Sequence, residues 1–126
     1  MNDKNAIRYL GLLERALRFA RKNLSADVTA QRLLILLAVY FHEGLSQREL
    51  MNYLESTSIT ALSRNLADLS SLNTKKVAGP GLLELRTDPM NLRVKRVFLT
   101  RKGRSFVKRW LAETEGKKTV ESGVSA

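Results

Sequence analysis

The side chains best suited to recognising another molecule lie in residues 57–72, a segment with the periodicity of an amphipathic helix. Four apolar residues recur along it at spacings of three and four: Ile59, Leu62, Leu66 and Leu69. The opposite side carries mostly short side chains around one arginine: Thr57, Thr60, Ala61, Arg64 and Asp68. Arginine can donate two hydrogen bonds to guanine in the major groove of DNA, threonine can reach bases or phosphates, and alanine can contact a thymine methyl group. The pattern therefore permits base recognition, but an ordinary helix with a Ser/Thr-rich outer side would show it too.

The overall charge narrows the class of partner. The chain has 126 residues and a mass of 14.2 kDa, which suits one domain with a modest core. Its 22 Lys and Arg exceed its 12 Asp and Glu, giving a net charge of +10 and a pI near 10.4. Such a charge destabilises a compact fold unless an anionic partner offsets it, and nucleic acid and anionic membrane are the obvious partners.

Several classes of protein are disfavoured. There is no cysteine, which excludes disulfides, thiolate metal sites and cysteine redox sensing. The N-terminus lacks the apolar core of a signal peptide, and the apolar run 33–41 is far shorter than the ~20 residues of a membrane span. The single histidine, His42, follows a predicted buried helix and suits capping better than catalysis. No carboxylate pair, phosphate-binding glycine loop or metal-ligand cluster is visible, so we expect no enzyme, no cofactor and no metal.

The first predicted helix, residues 5–23, carries two adjacent apolar stripes, a wider apolar surface than packing on one core usually requires. We therefore predict two packing partners for it, the body of its own domain and a second subunit. The alternative is a helix sunk deep in a single core. The predicted dimer interface lies on this helix and on the last one: Tyr9, Leu10, Leu12, Leu13, Leu17, Phe19, Phe106 and Trp110.

Capping residues and apolar runs predict three helices in the middle of the chain. The central buried helix should be the nearly continuous apolar segment 30–41, with Gly44 in the left-handed conformation at its C-terminal end. Three residues offer oxygens that could cap its start: Ser25, Asp27 and Thr29. Ser46 and Glu49 form a capping box that begins a short helix. That helix, a tight turn and the segment 57–72 make a helix-turn-helix pattern.

The C-terminal part has the pattern of a two-stranded ribbon followed by a helix. Successive segments are predicted as loop, strand, turn, strand and helix: 73–81, 82–87, 88–91, 93–99 and 101–113. On the second strand two residues should face inward, Val97 and Leu99, and two outward, Lys95 and Arg96. Thr100 should cap the last helix. The tail 116–126 has no apolar period and is predicted to be disordered.

This order of elements resembles the MarR family of bacterial transcriptional regulators over residues 28–107. The matching pieces are VTAQRLLILLAVYF, GLSQREL, ITALSRNLADL, LRTDPMNLRVKRVFLT and RKGRSFV. Most specific are a turn beginning Asp-Pro, an arginine at the wing tip, and a strand ending Leu-Thr before a basic residue, Lys and Gly. The resemblance implies a mainly α fold with a two-stranded β-wing (α+β), a winged helix-turn-helix with N- and C-terminal dimerisation helices.

The resemblance also implies which residues bind DNA. Six residues at the start of helix 57–72 would enter the major groove: Thr57, Ser58, Thr60, Ala61, Ser63 and Arg64. Arg93, on the wing 82–99, would enter the adjacent minor groove, where a narrow groove concentrates negative potential. Gln47 and Arg48 would hold phosphates. Four more residues would add phosphate contacts: Lys95, Arg96, Arg101 and Lys102.

Three features depart from the family pattern. Asn91 stands where Asp is usual, and it can cap the turn but cannot form an ion pair with arginine. The loop 73–81 is longer than the usual connection. Many members also have a second C-terminal helix, which completes the dimer and encloses a ligand pocket, whereas one such helix is predicted for this chain. A small-molecule effector is therefore doubtful.

We expect a single domain over residues 1–115, made of a dimerisation helix (1–24), a winged helix-turn-helix (28–100) and a C-terminal helix (101–115), with the tail 116–126. The expected function is sequence-specific binding of double-stranded DNA by a homodimer that regulates transcription, most simply as a repressor. Such a protein would be cytoplasmic and associated with the nucleoid, with no role at a membrane. The alternatives are a sequence-indifferent architectural DNA-binding protein, a protein-interaction module acting on a polymerase or another regulator, and a peripheral membrane protein bound through its first helix.

Overall fold

The computed structural model of the chain describes residues 3–56, 58–71 and 78–116. The described residues form five helices and one two-stranded sheet: α1 (Asp3–Asn23), α2 (Ala30–Phe41), α3 (Gln47–Tyr53), α4 (Ile59–Leu69), β1 (Leu83–Asp88), β2 (Asn91–Leu99) and α5 (Arg101–Thr114). Every helix and strand predicted from the sequence is present, which confirms the mainly α fold with a β-wing. Thr57, most of the predicted loop 73–81 and the tail beyond residue 116 lie outside the described residues.

The chain divides into two compact units, and the first consists of Met1–Val28 with Phe106–Ala126. Within it, the ring centroids of Phe19 and Phe106 lie 5.4 Å apart, and the indole N–H of Trp110 donates to the carbonyl of Ala16 at 2.9 Å. These contacts hold α1 against the C-terminal half of α5. None of the described helices, α1 included, combines the length and the apolar character that crossing a bilayer requires.

The second unit, Thr29–Ser105, is built around α2, which contacts α3, α4 and β2. Its core draws apolar side chains from each of these elements and from β1: Leu33, Ile35, Leu36, Val39, Leu50, Leu62, Leu66, Leu69, Leu83, Val97 and Leu99. α2 is therefore the central buried helix that its apolar run predicts. The wing closes one end of this core, since Val97 and Leu99 face inward as predicted.

Side-chain oxygens cap the start of α2, α3, α4 and α5. Thr29, Ser58 and Thr100 each accept a backbone N–H from the first turn of the helix that follows. Ser46 and Glu49 form the predicted capping box, in which the Ser46 hydroxyl accepts from the Glu49 N–H at 3.1 Å and the Glu49 carboxylate accepts from the Ser46 N–H at 2.9 Å. These local bonds fix where the helices of the helix-turn-helix begin.

The end of α2 differs from the prediction for Gly44. The helix is capped by His42, whose N–H donates to the Ala38 carbonyl at 2.9 Å. Gly44 takes a left-handed φ of +93°, but it lies two residues beyond that cap. Its N–H donates to the Val97 carbonyl at 2.9 Å. Gly44 therefore shapes the turn between α2 and α3, where the chain contacts the wing, rather than capping the helix.

The wing is an antiparallel ribbon with an irregular tip. Thr87 pairs with Lys95, but the next residue, Asp88, pairs with Asn91. Residues 92–94 therefore form a bulge on β2 opposite a single step of β1. A bulge bends its strand and redirects side chains, and bulges are frequent beside functional sites.

The start of α5 lies directly against the base of the wing. The Thr100 N–H donates to the Leu82 carbonyl at 3.0 Å, and the Thr100 hydroxyl donates to the Gly81 carbonyl at 2.6 Å. A Cβ on Gly103 would lie 2.1 Å from the same Leu82 oxygen, a distance that no side chain could tolerate. The Arg-Lys-Gly sequence after the wing thus has a structural cause, because only glycine lets α5 approach the strand this closely.

Candidate nucleic-acid interface

The outer side of α4 is exposed, as its amphipathic pattern predicts. The leucines on the inner side are at most 2% exposed: Leu62, Leu66 and Leu69. Arg64 is exposed on the other side, and three short exposed side chains surround it: Thr60, Ala61 and Ser63. Because these neighbours are short, a surface shaped like a DNA groove could approach α4 closely enough for Arg64 to reach a base edge.

Ser58, near the start of the predicted recognition segment, has a structural role. Ser58 is half-buried, and its hydroxyl oxygen accepts the Ala61 N–H at 3.1 Å as the cap of α4. Its hydroxyl hydrogen alone is left for an outside acceptor. The prediction for Thr57 falls outside the described residues.

Asp68 is not on the exposed side of α4, contrary to its predicted place opposite the leucines. It is half-buried, and its carboxylate accepts a hydrogen bond of 2.5 Å from Nη2 of Arg32 on α2. Nε of the same guanidinium donates to the side-chain oxygen of Asn65 at 3.2 Å. Arg32 therefore joins α2 to α4, a role that sequence analysis missed because the partners are far apart along the chain.

The turn between α3 and α4 contains a strained residue. Glu55 has a φ of +56°, and it is the only residue other than glycine with a positive φ in the described parts of the chain. Its N–H donates to the Asn52 carbonyl at 3.1 Å, and the Ser56 N–H donates to the Met51 carbonyl at 3.0 Å. The left-handed conformation costs an L-residue roughly 1–2 kcal/mol, and here it occurs in the turn between the two helices of the helix-turn-helix.

The predicted phosphate contacts of α3 lie in its first turn. Arg48 is exposed and Gln47 is half-buried. Beside them, the backbone N–H and the side chain of Ser46, followed by Arg96, hold the pKa of Glu49 below its ordinary value. The Glu49 carboxylate thus stays charged and remains bonded to the Ser46 N–H, while the exposed Arg48 is available to an outside anion.

Two side-chain oxygens hold the wing tip. Asp88 Oδ1 accepts the Met90 N–H at 2.8 Å, and Asn91 Oδ1 accepts the Arg93 N–H at 3.2 Å. The Met90 N–H, with a further contribution from Arg96, lowers the pKa of Asp88. Arg93 itself is exposed, which the predicted contact with a minor groove requires. Asn91 therefore does cap the turn, as expected for this departure from the family pattern.

Arg96 does not have the outward position predicted for it. It is half-buried, and its guanidinium donates to the Asp88 carboxylate at 3.1 Å and to the Gly44 carbonyl at 2.9 Å. A third contact reaches the Glu49 carboxylate at 3.3 Å. Since these contacts use its nitrogen atoms, Arg96 joins the wing to the start of α3 instead of projecting toward a phosphate.

Backbone hydrogen bonds attach the base of the wing to the same segment. The Gly44 N–H donates to the Val97 carbonyl at 2.9 Å, the Val97 N–H donates to the Leu45 carbonyl at 3.0 Å, and Ser46 forms a bridge with Arg96. The residues before α3 thus pair with β2 through these hydrogen bonds and one isolated β-bridge. The wing and the helix-turn-helix are consequently held in one arrangement.

The remaining predicted phosphate contacts are exposed: Lys95, Arg101 and Lys102. Two nearby arginines that sequence analysis did not single out have partners within the chain. The Arg86 guanidinium lies 4.2 Å from the centre of the Phe98 ring and is paired with a glutamate. Arg104 is paired with Glu43, whose carboxylate also accepts the Leu99 N–H at 3.3 Å. Because they are paired within the chain, Arg86 and Arg104 are assigned a structural role rather than contact with a ligand.

The predicted dimer residues fall into two groups. Four are exposed on α1: Tyr9, Leu10, Leu13 and Leu17. Three are buried in the first unit, Phe19, Phe106 and Trp110, and Leu12 is half-buried. The C-terminal end of α1 around Phe19 and Ala20 thus packs within the chain, whereas Leu10, Leu13 and Leu17 form an exposed stripe.

The described residues contain no group of three or more His, Asp or Glu side chains that could hold a metal ion. The ring of His42 packs edge-on against Tyr53, with centroids 4.7 Å apart, and its backbone caps α2. The surface of α4, α3 and the wing carries exposed arginine, lysine and hydroxyl side chains, which can bind anions and hydrogen-bonding partners.

Solved regulators share this fold. The S. aureus MepR–DNA complex matches with a TM-score of 0.66 at 19% identity, over 91% of this chain and 85% of that one. The regulator Tm0710 from Thermotoga maritima matches with a TM-score of 0.63 at 21% identity, over 89% and 70% of the two chains. The Streptomyces coelicolor regulator PcaV, solved with its natural ligand, matches with a TM-score of 0.55 at 19% identity, over 87% and 70%. No protein-family model and no curated protein matches the sequence. The chain has the winged helix-turn-helix fold of these regulators.

Proposed function

We propose that this chain is a transcriptional regulator of the MarR type that binds double-stranded DNA sequence-specifically as a homodimer. The observation that carries the proposal is the exposed side of α4, where Arg64 stands among side chains short enough to enter a groove with it. Two further facts support it: a net charge of +10, and a fold shared with a regulator solved on DNA.

In this proposal α4 reads the major groove. Arg64 forms two hydrogen bonds with a guanine, and its exposed neighbours contact bases or flanking phosphates: Thr60, Ala61 and Ser63. Ser58 reaches a phosphate through its hydroxyl hydrogen, since its oxygen caps α4. Thr57 is assigned to the same groove from the sequence.

The wing and α3 position the protein on the DNA backbone. Arg93 lies in the minor groove next to the major groove that α4 occupies, where a narrow groove attracts a guanidinium. Gln47 and Arg48 hold phosphates from the start of α3. Three exposed residues add phosphate contacts: Lys95, Arg101 and Lys102. Arg96 is left out of this set, because its donors already bind groups of the chain.

A second copy of the chain covers the exposed stripe of α1. Leu10, Leu13 and Leu17 recur along one side of the helix and are all more than half exposed. In such a homodimer the two copies of α4 would read half-sites about 34 Å apart, which together make a near-palindromic site on one face of the duplex. Occupation of a promoter by such a dimer makes repression the simplest outcome, and it places the protein at the nucleoid in the cytoplasm. The proposal involves no cofactor, metal or effector.

Selection of bound sequences from a random duplex pool, followed by competition gel shifts with the full chain, tests this function. We expect a near-palindromic site that is bound at least about 10³-fold more tightly than random duplex. The affinity should also fall by roughly 10³ between about 50 mM and 200 mM salt. Equal binding to random duplex would indicate an architectural DNA-binding protein. Absence of duplex binding would favour a protein-interaction module, in which charge reversal at Arg64 and Arg93 leaves activity in the cell intact.

A further inference from the structure

The wing tip carries two apolar side chains that the function proposed so far does not use. Met90 is 91% exposed and Leu92 is 76% exposed, the highest values among the large apolar residues in the described parts of the chain. They stand on either side of Asn91, at the turn and at the start of the bulge on β2. These two residues are called the tip pair below.

Hydrogen bonds fix the position of the tip pair relative to α3. The Met90 N–H is held by Asp88, and Asp88 is held by Arg96, which also binds the Gly44 carbonyl and Glu49 at the start of α3. The exposed positions of Met90 and Leu92 therefore belong to a tip that is fixed relative to the helix-turn-helix. A partner that meets α4 also meets the tip pair in a defined place.

The charges around the tip pair favour an anionic partner. Arg93 and Lys95 are exposed next to it, whereas the nearby acidic group, Asp88, is paired with Arg96. Two apolar side chains are also too few for a protein interface, which buries on the order of 800 Å² per partner, or for stable membrane attachment. In the minor groove of DNA, by contrast, one or two apolar side chains are enough to wedge between neighbouring base pairs.

We infer that Met90 and Leu92 form an apolar wedge that enters the minor groove beside Arg93, partly unstacks one base step and bends the DNA. The inference rests on the proposed function, because it requires the wing to lie in the minor groove. Its consequence is a second source of sequence preference. Pyrimidine–purine steps unstack most easily, so the step under the wing should be of that kind even though no side chain reads its base edges.

The experiment uses the full chain and a site obtained by selection. Circular-permutation gel mobility measures the bend, and fluorescence of 2-aminopurine placed at the step under the wing measures unstacking. The wild type should bend the site by roughly 20–90° and raise the fluorescence. The double substitution Met90→Ser with Leu92→Ser should at least halve the bend and remove the fluorescence rise. Its affinity should stay within about tenfold of the wild type, because the cost of bending disappears together with the contact.

Two further variants serve as controls for apolar volume and for the position of the substitution. The exchange Met90→Leu with Leu92→Met, which preserves apolar volume, should bend the site like the wild type. Leu34→Ser, which removes an exposed apolar side chain from α2, should leave both signals unchanged. If the serine double variant bends and unstacks the site like the wild type, or if the wild type binds its site without bending it, the wedge is wrong while the proposed function stands. A change in oligomeric state with the bend unchanged would make the tip pair a self-association contact and also overturn the wedge. Failure of the proposed function is a separate result, since no preferred duplex site would then be found.

Discussion

Nε and Nη2 of Arg96 both lie 3.1 Å from Oδ2 of Asp88, so the second strand of the wing holds the residue at which its own turn begins. The other oxygen of that carboxylate accepts the Met90 N–H. Nη1 of the same guanidinium binds the Gly44 carbonyl and the Glu49 carboxylate. One side chain thus joins the wing tip to the start of α3, and the two surfaces proposed to meet DNA are positioned together.

Replacing Arg96 with Gln should weaken DNA binding by loosening the wing. We expect a loss of roughly tenfold, or about 1.4 kcal/mol of binding free energy, with no change in the slope of log K against log salt concentration. Lys95→Gln is the matched control, because loss of a true phosphate contact should reduce that slope by about one. Titrations by fluorescence anisotropy at several salt concentrations distinguish the two. A reduced slope for Arg96→Gln would mean that Arg96 does contact a phosphate.

Two carboxylates of this network determine the expected response to acid. Bonds from Ser46, followed by Arg96, lower the pKa of Glu49 below 4.5. The Met90 N–H, with help from Arg96, lowers the pKa of Asp88 below 3.8. In both cases the folded chain binds the proton less tightly than the unfolded chain. Their contribution to stability is therefore complete above these ordinary values and is lost as the pH falls through the lowered ones.

Thermal unfolding from about pH 6 to about pH 3 measures this loss. The midpoint of the wild type should begin to fall near pH 4.5 and continue to fall in stronger acid. Glu49→Gln should have a lower midpoint at pH 6 and a shallower decline, because the group that titrates has been removed. Glu14→Gln is the control, since that carboxylate forms an exposed pair with Arg18 on α1. Identical pH profiles for wild type and Glu49→Gln would show that the capping box does not contribute in this way.

The elements and their caps could be predicted because their causes are local. Thr29, Ser46 and Thr100 each cap an N–H three residues ahead, so the relevant partners stand together in the sequence. Arg96 was expected to be exposed because two of its three partners are distant, 52 positions away at Gly44 and 47 at Glu49. Linear patterns show that a residue is polar, but they do not identify the remote group that it meets in the fold.

The same distinction applies to the candidate site. The exposed side of α4 follows from helical periodicity, so the position of Arg64 could be predicted. The bulge on β2 and the extreme exposure of Met90 could not, because they depend on the register between two strands. The two stripes of α1 were visible in the sequence, but only packing against α5 shows which part of them is covered: the C-terminal end around Phe19.

Replacing Glu55 with Gly should stabilise the chain. The φ of +56° costs an L-residue roughly 1–2 kcal/mol, and glycine avoids that cost while losing about 0.5–1 kcal/mol of conformational entropy on folding. The free energy of unfolding in urea should therefore rise by up to about 1 kcal/mol. Glu55→Ala serves as the control, because it removes the same carboxylate without relieving the strain. Equal effects of the two substitutions would assign the change to charge instead.

Replacing Arg64 with Ala should relax the preference for one base pair. Loss of two hydrogen bonds to a guanine should cost about 1–3 kcal/mol on the preferred site and much less on a site mutated at that position. Repeating the selection with the variant measures this directly. Arg8→Ala, an exposed arginine on α1 outside the proposed interface, should leave the preferred sequence unchanged. Uniform loss of affinity across all sequences would place Arg64 among the phosphate contacts.

Replacing Leu10 with Glu should dissociate the proposed dimer. Leu10 is 63% exposed on the uncovered stripe of α1, and a partner helix packed there would have to bury an unpaired carboxylate. Light scattering should then give about half of the wild-type mass, and binding to a two-half-site duplex should fall to the level of a single half-site. Arg18→Glu is the control, since Arg18 is an exposed, charged residue of the same helix, and its substitution should preserve the mass. If Leu10→Glu keeps the wild-type mass while Arg18→Glu lowers it, the subunits meet through the basic side of α1, and the proposed interface is wrong.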